Sequence, residues 1–87
     1  MDRLQLSRNI GSIESRQDLM QFILELQRSM HDDPESWENV ELGQFLSAMS
    51  AWVGDMHGYY ENQGIDFNEN QPWRMVADIL YAAGIYE

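Results

Sequence analysis

Residues 40–60 read VELGQFLSAMSAWVGDMHGYY, and this stretch decides the fold. Its large apolar residues recur every three or four positions, which is the spacing of one face of an α-helix. They are Leu42, Phe45, Leu46, Met49, Trp52, Val53, Met56 and Tyr60. The pattern predicts a long helix over about residues 40–60, with Asn39 as its N-cap.

The opposite side of this helix carries small residues, also at helical spacing: Gly43, Ser47, Ala51, Gly54 and Gly58. Each interior glycine costs a helix roughly 1 kcal/mol relative to alanine. Two interpretations follow. Either the small stripe lets another helix approach closely, or the helix kinks or ends at Gly54 or Gly58.

A second helix is predicted to begin at Ser15, because residues 15–18 read SRQD and resemble a capping box in which Asp18 replaces the usual Glu or Gln. The apolar residues after it keep helical spacing: Leu19, Phe22, Ile23, Leu26 and Met30. Asp32, Asp33 and Pro34 end this helix, and Pro34 is expected to open a short extra turn through Trp37.

The last helix is predicted to open at Pro72, since proline is favoured in the first turn. Trp73 on this helix and Trp52 on the long helix are both expected in the core. Gly64 breaks the polar loop of residues 61–71, and Ile65 and Phe67 are expected to pin that loop to the body. Gly84 is predicted to end the last helix in the left-handed conformation.

The predicted fold is therefore all-α, a small bundle of three main helices with a short extra turn near Pro34–Trp37. Residues 1–14 are interpreted as a weakly structured N-terminal segment, and residues 15–87 as a single helical domain. There is no cysteine, no secretory signal pattern and no apolar run of membrane-spanning length. A cytoplasmic protein is expected.

The charge of the chain is strongly one-sided. Its formal net charge is −10, it has no lysine, and residues 29–73 contain no arginine. That stretch holds Asp32, Asp33, Glu35, Glu38, Glu41, Asp55, Glu61, Asp66 and Glu69. A negative field of this density repels nucleic acid and anionic lipid and attracts a basic protein surface.

The residues offer little for catalysis. Without cysteine or lysine, His31 and His57 are the available candidates for a general base. His31 is better interpreted as interacting with the helix dipole at the end of its helix, and His57 as a surface histidine. His57 and Glu61 could face one metal ion, but a site needs three or four ligands. We expect no enzyme activity, no metal and no cofactor.

Protein binding is the better class of function. Carboxylates flank Trp37 in the run DDPESWENVE of residues 32–41, and an acidic rim around an aromatic anchor suits an interface. Alternatively, Trp37 caps the core and the charges are its solvated edge. The candidate partner-binding residues are Asp32, Asp33, Glu35, Trp37, Glu38, Glu41, Asp55, Tyr59 and Glu61.

Four motifs resemble a family of small bacterial cytosolic proteins catalogued as a domain of unknown function. They are WEN at 37–39, FL at 45–46, WVxDMxGYY at 52–60 and WxxxADILxAAxIYE at 73–87. The resemblance covers roughly residues 12–87 and carries no catalytic residues. It implies a single compact domain in which Tyr86 and Glu87 belong to the folded unit.

These observations lead to one main hypothesis and two alternatives. The main hypothesis is an acidic protein-binding module, most concretely an immunity protein or antitoxin that occludes a basic toxin domain such as a nuclease. One alternative is a small enzyme or ligand-binding domain with a cleft near Trp52, His57 and Trp73. The other is a structural protein that self-associates through the small-residue stripe. The sequence does not set the oligomeric state.

Overall fold

The computed structural model describes residues 3–68 and 70–85, and within these ranges the fold is all-helical, without a strand. The three predicted main helices are present, and a fourth precedes them. In chain order the helices are α1 (Arg3–Ile10), α2 (Arg16–Asp32), α3 (Leu42–Asn62) and α4 (Trp73–Ala83), with a 3₁₀ helix at Pro34–Ser36 between α2 and α3. Tyr86 and Glu87, expected to belong to the folded unit, lie outside the described residues.

The chain forms two compact units, Met1–Ala51 and Trp52–Glu87. In the first unit α1 and the 3₁₀ helix both pack against α2. The additional helix α1 is held there by Leu6, which is 3% exposed, and by a 3.4 Å hydrogen bond from the Asn9 amide to the Glu25 carboxylate. Its eight residues are too short for the apolar spacing alone to separate a helix from an extended arm.

The predicted start of α2 is confirmed. The Ser15 hydroxyl accepts the backbone N–H of Asp18 at 3.0 Å, and the Asp18 carboxylate accepts the backbone N–H of Glu14 at 3.0 Å. The reciprocal bond therefore reaches the residue before the N-cap, whereas in a standard capping box it returns to the N-cap itself. Two of the free N–H groups at this end are satisfied locally.

The N-cap predicted for α3 is wrong. Helix α3 begins at Leu42, and its first turn is closed by the N–H of Phe45 donating to the carbonyl of Glu41 at 2.8 Å, so Asn39 lies outside it. Starting after Glu41 places a carboxylate at the positive end of the helix dipole.

Helix α3 runs unbroken through Gly54 and Gly58, so the alternative in which it ends at one of them is wrong. A Cβ at Gly43, Gly54 or Gly58 would have no neighbouring heavy atom within 4 Å.

The left-handed glycine occurs after α3 and not after α4. Gly64 has φ +70°, its N–H donates to the carbonyl of Glu61 at 3.1 Å, and the N–H of Ile65 donates to the carbonyl of Tyr60 at 2.9 Å. These two bonds form a Schellman motif. Gly84, by contrast, has φ −69° and ψ −20°, so its predicted left-handed conformation is wrong. The last turn of α4 tightens instead, with the N–H of Gly84 donating to the carbonyl of Tyr81 at 3.2 Å.

The expectation that Trp52 and Trp73 are core residues is also wrong. Their exposed fractions are 47% and 41%. The second unit contains the C-terminal part of α3, a loop and α4. None of its described residues is buried, because so short a segment has little chain with which to cover large rings. No helix in the described part of the chain is long and apolar enough to cross a membrane.

Candidate functional site

The acidic segment comprises residues 32–41, and local hydrogen bonds hold its residues 33–37 at the C-terminal end of α2. The N–H of Asp33 donates to the carbonyl of Ser29 at 2.8 Å, which caps α2. The Ser36 hydroxyl donates to the carbonyl of Asp33 at 2.9 Å, and the N–H of Trp37 donates to the carbonyl of Pro34 at 3.1 Å. Pro34 and these hydrogen bonds therefore give residues 33–37 a defined backbone.

Trp37 joins the acidic segment to α2 through its side chain. Its indole N–H donates to the hydroxyl of Ser29 at 3.2 Å, and Ser29 is 1% exposed. The ring itself is half-buried. Trp37 thus has a structural contact on one side, as the alternative interpretation expects, and a remaining exposed edge on the other.

Most carboxylates of the acidic segment lie in solvent. Asp32, Glu35, Glu38 and Glu41 are exposed, and Asp33 is half-buried. The ion pair observed among the described residues joins His31 Nδ1 to Asp32 Oδ1 at 3.1 Å, and both side chains are mostly exposed. An exposed pair of this kind is weak. The segment therefore presents its negative charge largely unneutralised by the chain itself.

The remaining candidate partner-binding residues, Asp55, Tyr59 and Glu61, lie on the part of α3 that belongs to the second unit. Asp55 and Tyr59 are four residues apart and share one side of the helix, whereas Glu61 is turned well away from both. The Tyr59 side chain is 49% exposed, and its ring contacts Trp52 at 5.8 Å between centroids. The other candidate residues belong to the first unit: Asp32, Asp33, Glu35, Trp37, Glu38 and Glu41. The candidate residues thus form two groups, one in each unit.

An aromatic cluster in the second unit includes His57 and Trp73, near which a cleft was predicted, and adds Tyr60 and Phe67, which that prediction did not include. Phe67 lies at its centre: its ring stacks on Tyr60 at 5.7 Å, and it contacts His57 at 5.4 Å and Trp73 at 6.3 Å. This confirms that Phe67 pins the polar loop. The signal for this cluster in the sequence was Phe67, an aromatic residue in a polar loop between two helices that carry aromatic residues.

Two clefts lie on this cluster and share Met56, Phe67 and Trp73 as a common wall. The histidine cleft, of about 330 Å³, is completed by Val53, Gly54 and His57. The loop cleft, of about 290 Å³, is completed by residues that include Tyr60, Asp66 and Gln71. A cleft was expected near Trp52, His57 and Trp73. His57 and Trp73 do line the histidine cleft, whereas Trp52 lines neither of the two clefts.

Nothing in the described ranges resembles a metal centre. Across residues 3–68 and 70–85, no three His, Cys, Asp or Glu side chains converge as metal ligands would. His57 packs its ring edge-to-face on Phe67, and Glu61 lies one turn further along α3.

Comparison with known proteins identifies one family. The model of a family of unknown function (DUF7660) matches residues 15–87, which is most of the chain. No curated protein matches, and no solved structure matches.

Proposed function

We propose that this chain, which belongs to the family of unknown function DUF7660, is an acidic protein-binding module. Its most concrete form is an immunity protein or antitoxin in the cytoplasm that blocks a basic toxin domain such as a nuclease. The observation that carries the proposal is the acidic segment: four exposed carboxylates in and beside a hydrogen-bonded turn, in a chain of net charge −10.

The physical basis is electrostatic complementarity. A nuclease active site is built to hold phosphates, and exposed carboxylates on a fixed backbone can occupy such a basic surface in their place. Charges at the rim of an interface act mainly on the association rate, and their effect decreases with salt. The exposed edge of Trp37 lies among these carboxylates and supplies the apolar contact that an interface of charges alone lacks.

The test uses the product of the adjacent gene as the candidate partner, with surface-binding kinetics at several salt concentrations. Reversing Asp32, Asp33, Glu35 and Glu38 together to lysine should slow association by roughly tenfold at low salt and flatten its salt dependence. Helix content should stay nearly unchanged, because solvated carboxylates contribute little to stability.

A matched pair of variants separates local charge from net charge. Asp32→Lys with Glu35→Lys changes the acidic segment, whereas Glu14→Lys with Asp78→Lys makes the same change in net charge at exposed positions elsewhere. The first pair should slow association more than the second. Equal effects would move the interface off residues 32–41, and no binding to the neighbouring product at low salt would argue against the immunity role.

A second candidate function is a small ligand-binding or enzymatic domain. It is supported by the histidine cleft, where His57 and Trp73 line one cavity of about 330 Å³. An adjacent metabolic operon, with no toxin gene, would favour this candidate.

A further inference from the structure

The loop cleft combines aromatic faces with a carboxylate. Its lining includes the rings of Tyr60, Phe67 and Trp73 and the side chain of Asp66, all within the second unit. Among the described residues that line the cleft, one side chain is negative and none is positive. Arg74 follows Trp73 on α4 but does not line the cleft. Asp66 therefore gives the described lining a negative charge beside the aromatic rings.

The three rings contact one another, and the stacked pair of Tyr60 and Phe67 leaves no room for a cation between its two faces, so a cation in the cleft would meet the outer faces and edges of the cluster. Tyr60 and Phe67 are nearly parallel, with an interplanar angle of 14° and centroids 5.7 Å apart, and Trp73 is tilted by 45° against Phe67 at 6.3 Å. Ring faces attract a cation within about 6 Å of the centroid, and Trp does so most strongly. Tyr60 and Phe67 are half-buried and Trp73 is 41% exposed, so these rings remain accessible.

Asp66 has no ion-pair partner in the described part of the chain. It sits beside Phe67 in the loop that follows α3. The Schellman turn at Gly64 precedes it, and the side-chain oxygen of Asn68 accepts the N–H of Asn70 at 2.8 Å after it. A carboxylate in this position can accept hydrogen bonds from an ammonium or guanidinium group.

We infer that the loop cleft binds the cationic end of a lysine or arginine side chain from a basic protein partner, an inference that rests on the proposed function. The head group would lie between the rings and Asp66, with its aliphatic stem along Met56 and Val76, which also line the cleft. A volume of about 290 Å³ is at the lower end of ligand pockets and suits one side chain.

The first experiment titrates the full chain with N-acetyl-arginine methyl ester and, separately, with N-acetyl-lysine methyl ester. The readout is the indole N–H resonances in a ¹H–¹⁵N spectrum, with Trp73 assigned from Trp73→Phe. The Trp73 resonance should shift and saturate with at least one cationic probe. N-acetyl-norleucine methyl ester, which keeps the apolar stem but lacks the charge, should produce a much smaller shift. An equal shift with norleucine, or no shift with either cationic probe, overturns the cation site.

The second experiment compares variants with the same probes. Asp66→Asn and Phe67→Leu should each weaken binding by about two- to fivefold, the effect expected of one cation contact. Asp78→Asn removes an exposed carboxylate on α4 outside the cleft and should leave binding unchanged. If Phe67→Leu loses helix content, Asp66→Asn still decides the result, because this side chain is exposed. Unchanged binding in Asp66→Asn would overturn the assignment of the carboxylate.

The partner from the neighbouring gene distinguishes failure of the cleft from failure of the proposed function. If the partner binds wild type, Asp66→Asn and Phe67→Leu equally, the cleft inference is wrong and the protein-binding function stands. If no partner binds at all, the proposed function fails, and the probe titration still decides whether the cleft takes a cation.

Discussion

The indole N–H of Trp37 donates to the hydroxyl of Ser29 across 3.2 Å, and this hydroxyl belongs to one of the two buried residues in the described part of the chain. The bond links the acidic segment to α2 across eight positions of sequence. It gives an aromatic residue at a proposed interface a second role, that of fixing the backbone which carries the charges.

Replacing Trp37 by Phe should lower the free energy of unfolding by about 1–3 kcal/mol, because the buried Ser29 hydroxyl loses its donor. Ser29→Ala should cost less, because it removes the buried hydroxyl itself and leaves no buried oxygen without a donor. Urea unfolding of both single variants and the double variant measures the coupling, expected at about 1 kcal/mol. Strict additivity would show that the bond contributes nothing to stability.

Ser15→Ala removes the side-chain acceptor at the start of α2 and should cost about 1 kcal/mol in thermal or urea unfolding. Ser50→Ala is the matched control, because Ser50 lies exposed inside α3 without a capping role. Alanine has the higher helix propensity there, so this variant should be neutral or slightly stabilising. Equal losses in the two variants would contradict the cap at Ser15.

Gly64→Ala and Gly54→Ala should change stability in opposite directions. Gly64 has φ +70°, where a side chain costs about 1–2 kcal/mol. Gly54 lies inside α3 with no neighbouring heavy atom within 4 Å of a Cβ, so alanine should stabilise by up to about 1 kcal/mol. Urea midpoints measure both. A loss in Gly54→Ala would show that the small-residue stripe is covered in solution, as self-association through it requires.

Trp52→Ala should cost about 2 kcal/mol, below the 3–5 kcal/mol typical of a fully buried Trp. The ring keeps contacts with Tyr59 at 5.8 Å and Tyr60 at 6.2 Å, yet 47% of the residue is exposed. Thermal unfolding followed by circular dichroism measures the loss. A cost above 4 kcal/mol would mean that Trp52 is buried in solution.

The helices and their local ends were largely predictable. Capping and helical hydrogen bonds join residues within about four or five positions. Local signals such as Ser15, Asp18 and Pro72 therefore predict where helices begin. The boundary of α3 moved by two residues from its prediction, which is the ordinary uncertainty of a helix end. The net charge and the position of the acidic segment also follow directly from composition.

The aromatic cluster was only partly predictable. The sequence indicated that Phe67 contacts the body, but not that it stacks on Tyr60 or shares a cleft with Asp66 and Trp73. Such contacts depend on the path of the loop and the directions of side chains on two helices, which no local pattern encodes.

By itself, the sequence determined that this protein is helical, strongly acidic and negative over residues 32–41, because periodicity, caps and charge are local properties of the chain. The tertiary structure alone decided that Trp37 bonds to Ser29 and that Gly64, not Gly84, adopts the left-handed turn. Both glycines follow a helix and precede an isoleucine, so their sequence signals are alike. What separates them is the bond from Ile65 to the carbonyl of Tyr60, which requires the left-handed turn, whereas Gly84 continues the right-handed turn.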